Sequence, residues 1–216
     1  MADPLHGANG DSTLPEGNGY GTATVSRGGM VSFAGSLADG TKISRSVPLS
    51  QGGRWPLYVG LYNGQGSILG WMTFTNAANV GGELAWTKPQ TKARIYSSGF
   101  AWMTEANGMR YSPPGRESNV FGETSSSVVL ALEGGDLAQG ITNALTLNAA
   151  NQVTKASLAN KLTLSLTPSS GLFSGNQFIP GTRKAVSFNG VILQGQTNGA
   201  GYFLGTDQSG RVLLRQ

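Results

Sequence analysis

The sequence contains no cysteine and a single histidine, His6. The first absence excludes a disulfide framework, thiolate catalysis and cysteine-ligated zinc, and suits a reducing or an oxidising compartment equally. The second excludes metal sites built from several histidines. It leaves a Ser-His-Asp triad only if the polar stretch around His6 folds into a site. Charge is also scarce, at 12% Asp, Glu, Lys and Arg. No apolar run approaches the roughly 20 residues of a membrane-spanning helix, so membrane insertion is not expected. Residues 1–19, MADPLHGANGDSTLPEGNG, lack the basic and apolar regions of a signal peptide and read as a polar leader or linker. Neither G-x-S-x-G nor S-x-x-K occurs. The glycine-rich stretches GNGYG and NGAGYFLG have no following helix to offer amides to a phosphate, so no cofactor is expected.

What is abundant is glycine, 33 residues, alongside serine, threonine and aromatics. This composition suits short strands joined by tight turns and is unlike that of disordered chains. The net charge is +4, but the 15 basic residues are dispersed between Arg27 and Arg215, with Arg183-Lys184 the one adjacent pair. A nucleic-acid binder would gather such charge into a stripe, so nucleic acid is not an expected partner.

Strand-like runs begin at Tyr20. Arg27-Gly28-Gly29 separates two of them as a hairpin signal, and Ala38-Asp39-Gly40-Thr41 predicts a type I′ turn. In WPLYVGLYNGQGSILGWMTF, Leu57, Val59 and Leu61 alternate with Tyr58, Gly60 and Tyr62. The turn NGQG then leads to Ile68, Gly70, Met72 and Phe74 on one face of a return strand. Residues 80–127 contain one expected strand, ELAWTKP, and otherwise read as a long irregular crossover with Pro113-Pro114. Alternation resumes in SVVLALEGG, NALTLNAANQVT and NKLTLSLT. GGDLAQGITNAL allows at most one helical turn capped by Asp136.

The chain also repeats itself. Phe33-Ala34-Gly35 answers Phe173-Ser174-Gly175, Gly40-Thr41-Lys42 answers Gly181-Thr182-Arg183, and GWMTF answers GYFLG. Two copies of a meander, neither able to bury its apolar face alone, are satisfied by packing together. The expected fold is all-β, with internally duplicated antiparallel meanders forming a pseudo-two-fold barrel or two packed barrel-like sheets. Its parts are a leader at 1–19, a first repeat at 20–79, the crossover at 80–127 and a second repeat at 128–216, within one compact unit. On this view Trp55 to Trp71 is core and hairpin.

Four blocks, WPLYVGLYNGQGSILGWMTF, IYSSGFAWMTEANGMRYSPP, NKLTLSLTPSSGLFSG and GVILQGQTNGAGYFLGTDQSG, carry a resemblance in order from about Tyr20 onward. Together they resemble a β-rich Gly/aromatic domain found at the C-terminal ends of large secreted bacterial multidomain proteins. The resemblance implies a secreted or cell-surface interaction module and brings no catalytic residues.

The candidate chemistry falls in the unduplicated middle. Trp86, Tyr96, Trp102, Arg110 and Tyr111 are the expected ligand-binding residues, because aromatic rings stack on sugars while a nearby cation and polar edges hydrogen-bond. A glycoside hydrolase is the alternative, with Glu105 and Glu117 as its carboxylates, since that reaction needs two carboxyls facing each other across a sugar. A purely structural domain is the third reading. Expected partners are a glycan or other polymer, or neighbouring protein domains. Asp39 and Asp207 read as turn residues rather than calcium ligands.

Overall fold

The computed structural model describes residues 12–75, 79–156 and 161–216 and is all-β. No helix among the described residues is long and apolar enough to cross a membrane. The first unit is a meander of seven strands in two sheets. β1 (Tyr20–Val25), β2 (Met30–Ser36) and β3 (Lys42–Pro48) form one. β4 (Arg54–Leu61), β5 (Gly66–Phe74), β6 (Asn79–Lys88) and β7 (Phe100–Met109) form the other. Three tight turns share one construction: the amides of Ser26, Leu37 and Ser50 donate to the carbonyls of Met30, Thr41 and Arg54. The fourth residue of each is a glycine with positive φ, Gly29, Gly40 or Gly53. This is a type I turn closed by a left-handed glycine. The expected type I′ turn at Asp39-Gly40 is therefore corrected, because only Gly40 takes the left-handed conformation.

The third of these turns joins β3 to β4, so those strands run antiparallel although no backbone ladder links them. Arg45 Nε reaches the Tyr58 carbonyl across the gap at 2.8 Å. Alternation then sorts the side chains. Trp55, Leu57, Leu61, Ile68, Met72, Leu84 and Trp86 turn inward to one core, joined by Val31, Leu37 and Ile43 from the three-stranded sheet.

The second unit is one nearly closed, barrel-like sheet of eight strands. These are β8 (Ser125–Gly134), β9 (Ile141–Asn148), β10 (Val153–Ala156), β11 (Thr163–Thr167), β12 (Leu172–Phe178), β13 (Ala185–Leu193), β14 (Asn198–Leu204) and β15 (Ser209–Arg215). Their spatial order is β10-β9-β8-β15-β14-β13-β12-β11. The core is lined by Leu130, Leu132, Leu147, Phe173, Phe188, Phe203, Val212 and Leu214. The helical turn allowed after Asp136 does not form. Gly134, Gly135 and Asp136 all have positive φ, and β9 starts at Ile141.

Repetition is visible but unequal. β1 and β2 correspond to β11 and β12, and a short 3-10 turn follows both β4 (Tyr62–Gly64) and β13 (Gln194–Gln196). Where the first unit uses β3 and β4, the second uses β13 alone, which pairs with both β12 and β14. The single strand β13 keeps the second sheet whole, whereas in the first unit the antiparallel pair β3 and β4 stands in its place with no ladder between them. The units meet along the ends of β13 and β14. Residues 190–193 and 199–203 are buried at every position, so one face serves each unit. Tyr202 lies in the core of the first unit, where its hydroxyl hydrogen-bonds Ser36 Oγ at 2.6 Å.

The turns of the second unit are clamped by Asp136. Its carboxylate accepts from Gln208 Nε2 at 2.6 Å and from the amides of Thr206 at 2.7 Å and Asp207 at 3.2 Å. Burial pushes the carboxyl pKa up, but these three donors outweigh it and hold it below the ordinary 3.8. A folded-state pKa below the unfolded one means stabilisation that is complete above about pH 4 and lost as pH falls through the folded value. Asp136→Ala should therefore lower the melting temperature at neutral pH, with the gap to wild type closing as the pH drops below about 4. Melting curves of both proteins across that range test it, and a gap unchanged in acid rules it out.

Candidate functional site

Residues 80–127 are more regular than expected. FAWMTEANGM forms the ten-residue strand β7, which points Phe100, Trp102, Thr104 and Ala106 inward. The remaining stretches strap the two units together. Arg94 donates to the carbonyls of Gly205 and Thr206, and the Tyr96 amide donates to the Asp207 carbonyl at 2.9 Å. Further along, the Ser112 amide donates to Gln194 Oε1, and Gln194 Nε2 donates to the carbonyls of Ser112 and Val120.

The expected binding residues do not form one cluster. Trp86 is 2% exposed, donates through Nε1 to the Tyr62 hydroxyl at 3.0 Å, and meets Phe100 edge-on with centroids 4.8 Å apart. Tyr96 is buried as well. Its hydroxyl pairs with Ser209 Oγ at 2.9 Å and accepts from the Ser209 amide at 2.8 Å, and burial raises its pKa despite those bonds. Trp102 is half-buried, opposite Trp86 on the inner side of the sheet. These three are structural in their contacts. Arg110 and Tyr111 stand apart at the edge of a cavity, the Tyr111 hydroxyl donating to the Pro168 carbonyl at 2.6 Å. Glu117 is exposed in the turn region between β7 and β8. Glu105 lies on the outer face of β7, directly opposite Glu83 of β6.

Around Trp86 lies a buried polar network. Asp39 Oδ2 accepts from Lys88 Nζ at 2.6 Å and from the Tyr62 hydroxyl at 2.8 Å, while Oδ1 accepts the Thr41 amide at 3.0 Å. The Lys88 ammonium also lies 4.8 Å from the Tyr62 ring centroid. Burial, then the Asp39 charge and hydrogen bond, push the Tyr62 pKa far above its ordinary value, so the phenol stays protonated as donor. Asp39 is thus a turn residue, as expected, and also half of a buried ion pair.

The exposed aromatic surface is elsewhere, on the outer face of β4–β7. Register places Tyr58, Leu69, Ala85 and Met103 in one row across all four strands. Tyr58, Leu69, Trp71 and Met103 are 57%, 45%, 54% and 60% exposed, and these are half of the large apolar side chains exposed among the described residues. Trp71 pairs with Pro56 and sits diagonal to Tyr58, within reach of a long side chain. The Arg54 guanidinium lies 5.3 Å from the Trp71 ring centroid. Glu83 and Glu105 border the row. The expectation that Trp55 to Trp71 is core and hairpin therefore holds for Trp55, 2% exposed, and not for Trp71 or Tyr58. Their signal was present in the sequence: if Leu57, Val59, Ile68 and Met72 face inward, Tyr58 and Trp71 must face outward.

Removing one partner of the Asp39–Lys88 pair leaves an uncompensated buried charge. Lys88→Ala should cost about 3–5 kcal/mol in urea unfolding, and the double variant Lys88→Met with Asp39→Asn should recover much of it. A single variant as stable as wild type would show that the pair holds nothing.

Comparisons of the chain with protein-family models, with curated proteins and with solved structures found no match.

Proposed function

We propose that the protein is a non-catalytic binding module, and that the outer face of β4–β7 receives an extended glycan. One observation carries the reading: Tyr58 and Trp71 are exposed side by side on an open sheet, bordered by carboxylates and a guanidinium. A pyranose has an apolar face that stacks on such rings and hydroxyls at its edges that bond to carboxylates and guanidinium groups. Four large apolar side chains on one solvent-facing sheet form the kind of patch that marks an interaction surface. A strand row spanning four strands, at about 4.8 Å between neighbours, suits a linear polymer lying across it. The resemblance to domains of secreted bacterial proteins supports an extracytoplasmic setting.

The opposed Glu83 and Glu105 favour hydrolysis less. Hydrolysis requires carboxyls on either side of a sugar, whereas this pair stands side by side on neighbouring strands of an exposed face. They serve better as acceptors for hydroxyl groups.

A panel of insoluble and immobilised polysaccharides tests the reading. Wild type should be retained on at least one. Tyr58→Ala and Trp71→Ala should each weaken retention about tenfold or more, with melting temperature nearly unchanged because both side chains are exposed. Glu105→Gln should leave no turnover to lose. Retention unaffected by both aromatic substitutions sinks the proposal, and product release abolished by Glu105→Gln replaces it with a hydrolase.

A further inference from the structure

A second site is independent of the sheet face and follows from the strand count. Strands joined by consecutive hairpins alternate in direction, so β1 and β7 of a seven-strand meander run the same way. They cannot pair antiparallel, and the two edges stay apart. In the second unit the corresponding interval, between β8 and β11, is occupied by β9 and β10. No strand among the described residues fills it in the first unit, where a cavity of about 470 Å3 lies along the seam.

Its walls are apolar inside and polar at one end. Phe33, Ile43, Trp55, Leu57 and Met72 line the interior, with β1 on one side and residues 106–109 of β7 on the other. Across the seam, Ser169, Ser170 and residues 191–193 of the second unit close the chamber. Asn107, Gly108, Met109, Arg110 and Leu193 continue into an adjoining, more polar recess that includes Gln196. Arg110 is exposed and makes no ion pair among the described residues.

We propose that this chamber binds a single-chain amphiphile with an anionic head, its alkyl chain along the seam and its head at Arg110. The volume lies in the range of small-ligand pockets, roughly 300–1,000 Å3, and barrel mouths are common sites for them. At roughly 30 Å3 per water-sized unit, its volume is on the order of fifteen such units, comparable to a chain of a dozen or so methylenes. The charge at the mouth selects the head. A peptide strand inserted between β1 and β7 would have to displace the residues 191–193 that wall the seam, whereas an alkyl chain uses space already there.

Calorimetric titration of the full chain with laurate, dodecanol and dodecylammonium, each below its micelle-forming concentration, tests the site. A single equivalent of laurate should bind, dodecanol more weakly, and dodecylammonium weakest. Arg110→Glu, a surface change, should weaken laurate about tenfold while leaving dodecanol unchanged. Ala106→Phe, which fills the chamber from β7, should abolish both. If that variant melts far below wild type, the Arg110→Glu comparison decides. The proposal falls if wild type binds none of the three, if dodecylammonium matches laurate, or if Arg110→Glu leaves laurate binding intact. It falls equally if an alternating apolar peptide binds and laurate does not, which would assign the seam to a strand.

Discussion

The buried pair between Asp39 and Lys88 is the constraint on which the first unit depends. Its two sheets share no backbone ladder, since β3 and β4 are joined only by a turn and by the bond from Arg45. Apolar packing favours their approach but fixes no geometry, because it has no direction. The pair supplies direction. Asp39 belongs to the turn of the three-stranded sheet, Lys88 ends β6 of the four-stranded sheet, and Tyr62 joins them from the turn between β4 and β5. The same phenol accepts from Trp86, so the indole of β6 is positioned by the network it covers. Tyr62 and Asn63 are held at φ 52° and 57°, a left-handed conformation costly for a bulky side chain. The three bonds at the Tyr62 hydroxyl and ring offset that cost, and the strained turn belongs to the clamp.

The first unit stays open along the seam between its edge strands β1 and β7. A closed antiparallel barrel needs an even number of strands, and the unequal duplication gives seven to one unit and eight to the other. The second unit spends its extra hairpin on closure. The first closes against its neighbour instead, with residues 191–193 lining the seam and Tyr202 bonded to Ser36 of β2. Side chains from another sheet's outer face fill such a gap less completely than a strand in register, and the chamber is what remains. β1 carries no charge and no proline, the usual guards of an exposed edge, whereas β3 and β4 carry Lys42, Arg45, Arg54 and Pro56. Its first half, Tyr20–Thr22, is half-buried beside the seam, and Ala23, Thr24 and Val25 are exposed.

Much of this was legible in the sequence where hydrophobic contrast is strong. The alternation in residues 55–74 fixed two strands, their turn and their inward faces. β7 was not legible, because its inward positions mix Phe100 and Trp102 with Thr104 and Ala106, while Met103 points outward. Such a strand has period 2 in space and none in hydrophobicity. The ion pair was hidden for a different reason. Asp39 and Lys88 lie 49 positions apart, and nothing local distinguishes a lysine that will be buried from one that stays in water. The aromatics of residues 80–127 drew attention by composition, and the fold uses three of them for packing.

The same alternation that builds the core also writes the outer face, and this decides how the aromatic residues of the first repeat should be understood. Trp55 and Trp71 belong to paired strands one register step apart, since Trp55 pairs with Met72 and Trp71 with Pro56. That single step flips a tryptophan from the interior to solvent. A strand pair used only as scaffold would place a polar residue at the outward position, as β2 and β3 do by pairing Ser32 with Ser46. Here Tyr58, Leu69, Trp71 and Met103 occupy outward positions instead, at the cost of apolar surface left in water. Burial in the core does not account for these four positions, and their exposure is the ground on which the β4–β7 face is proposed as a binding surface.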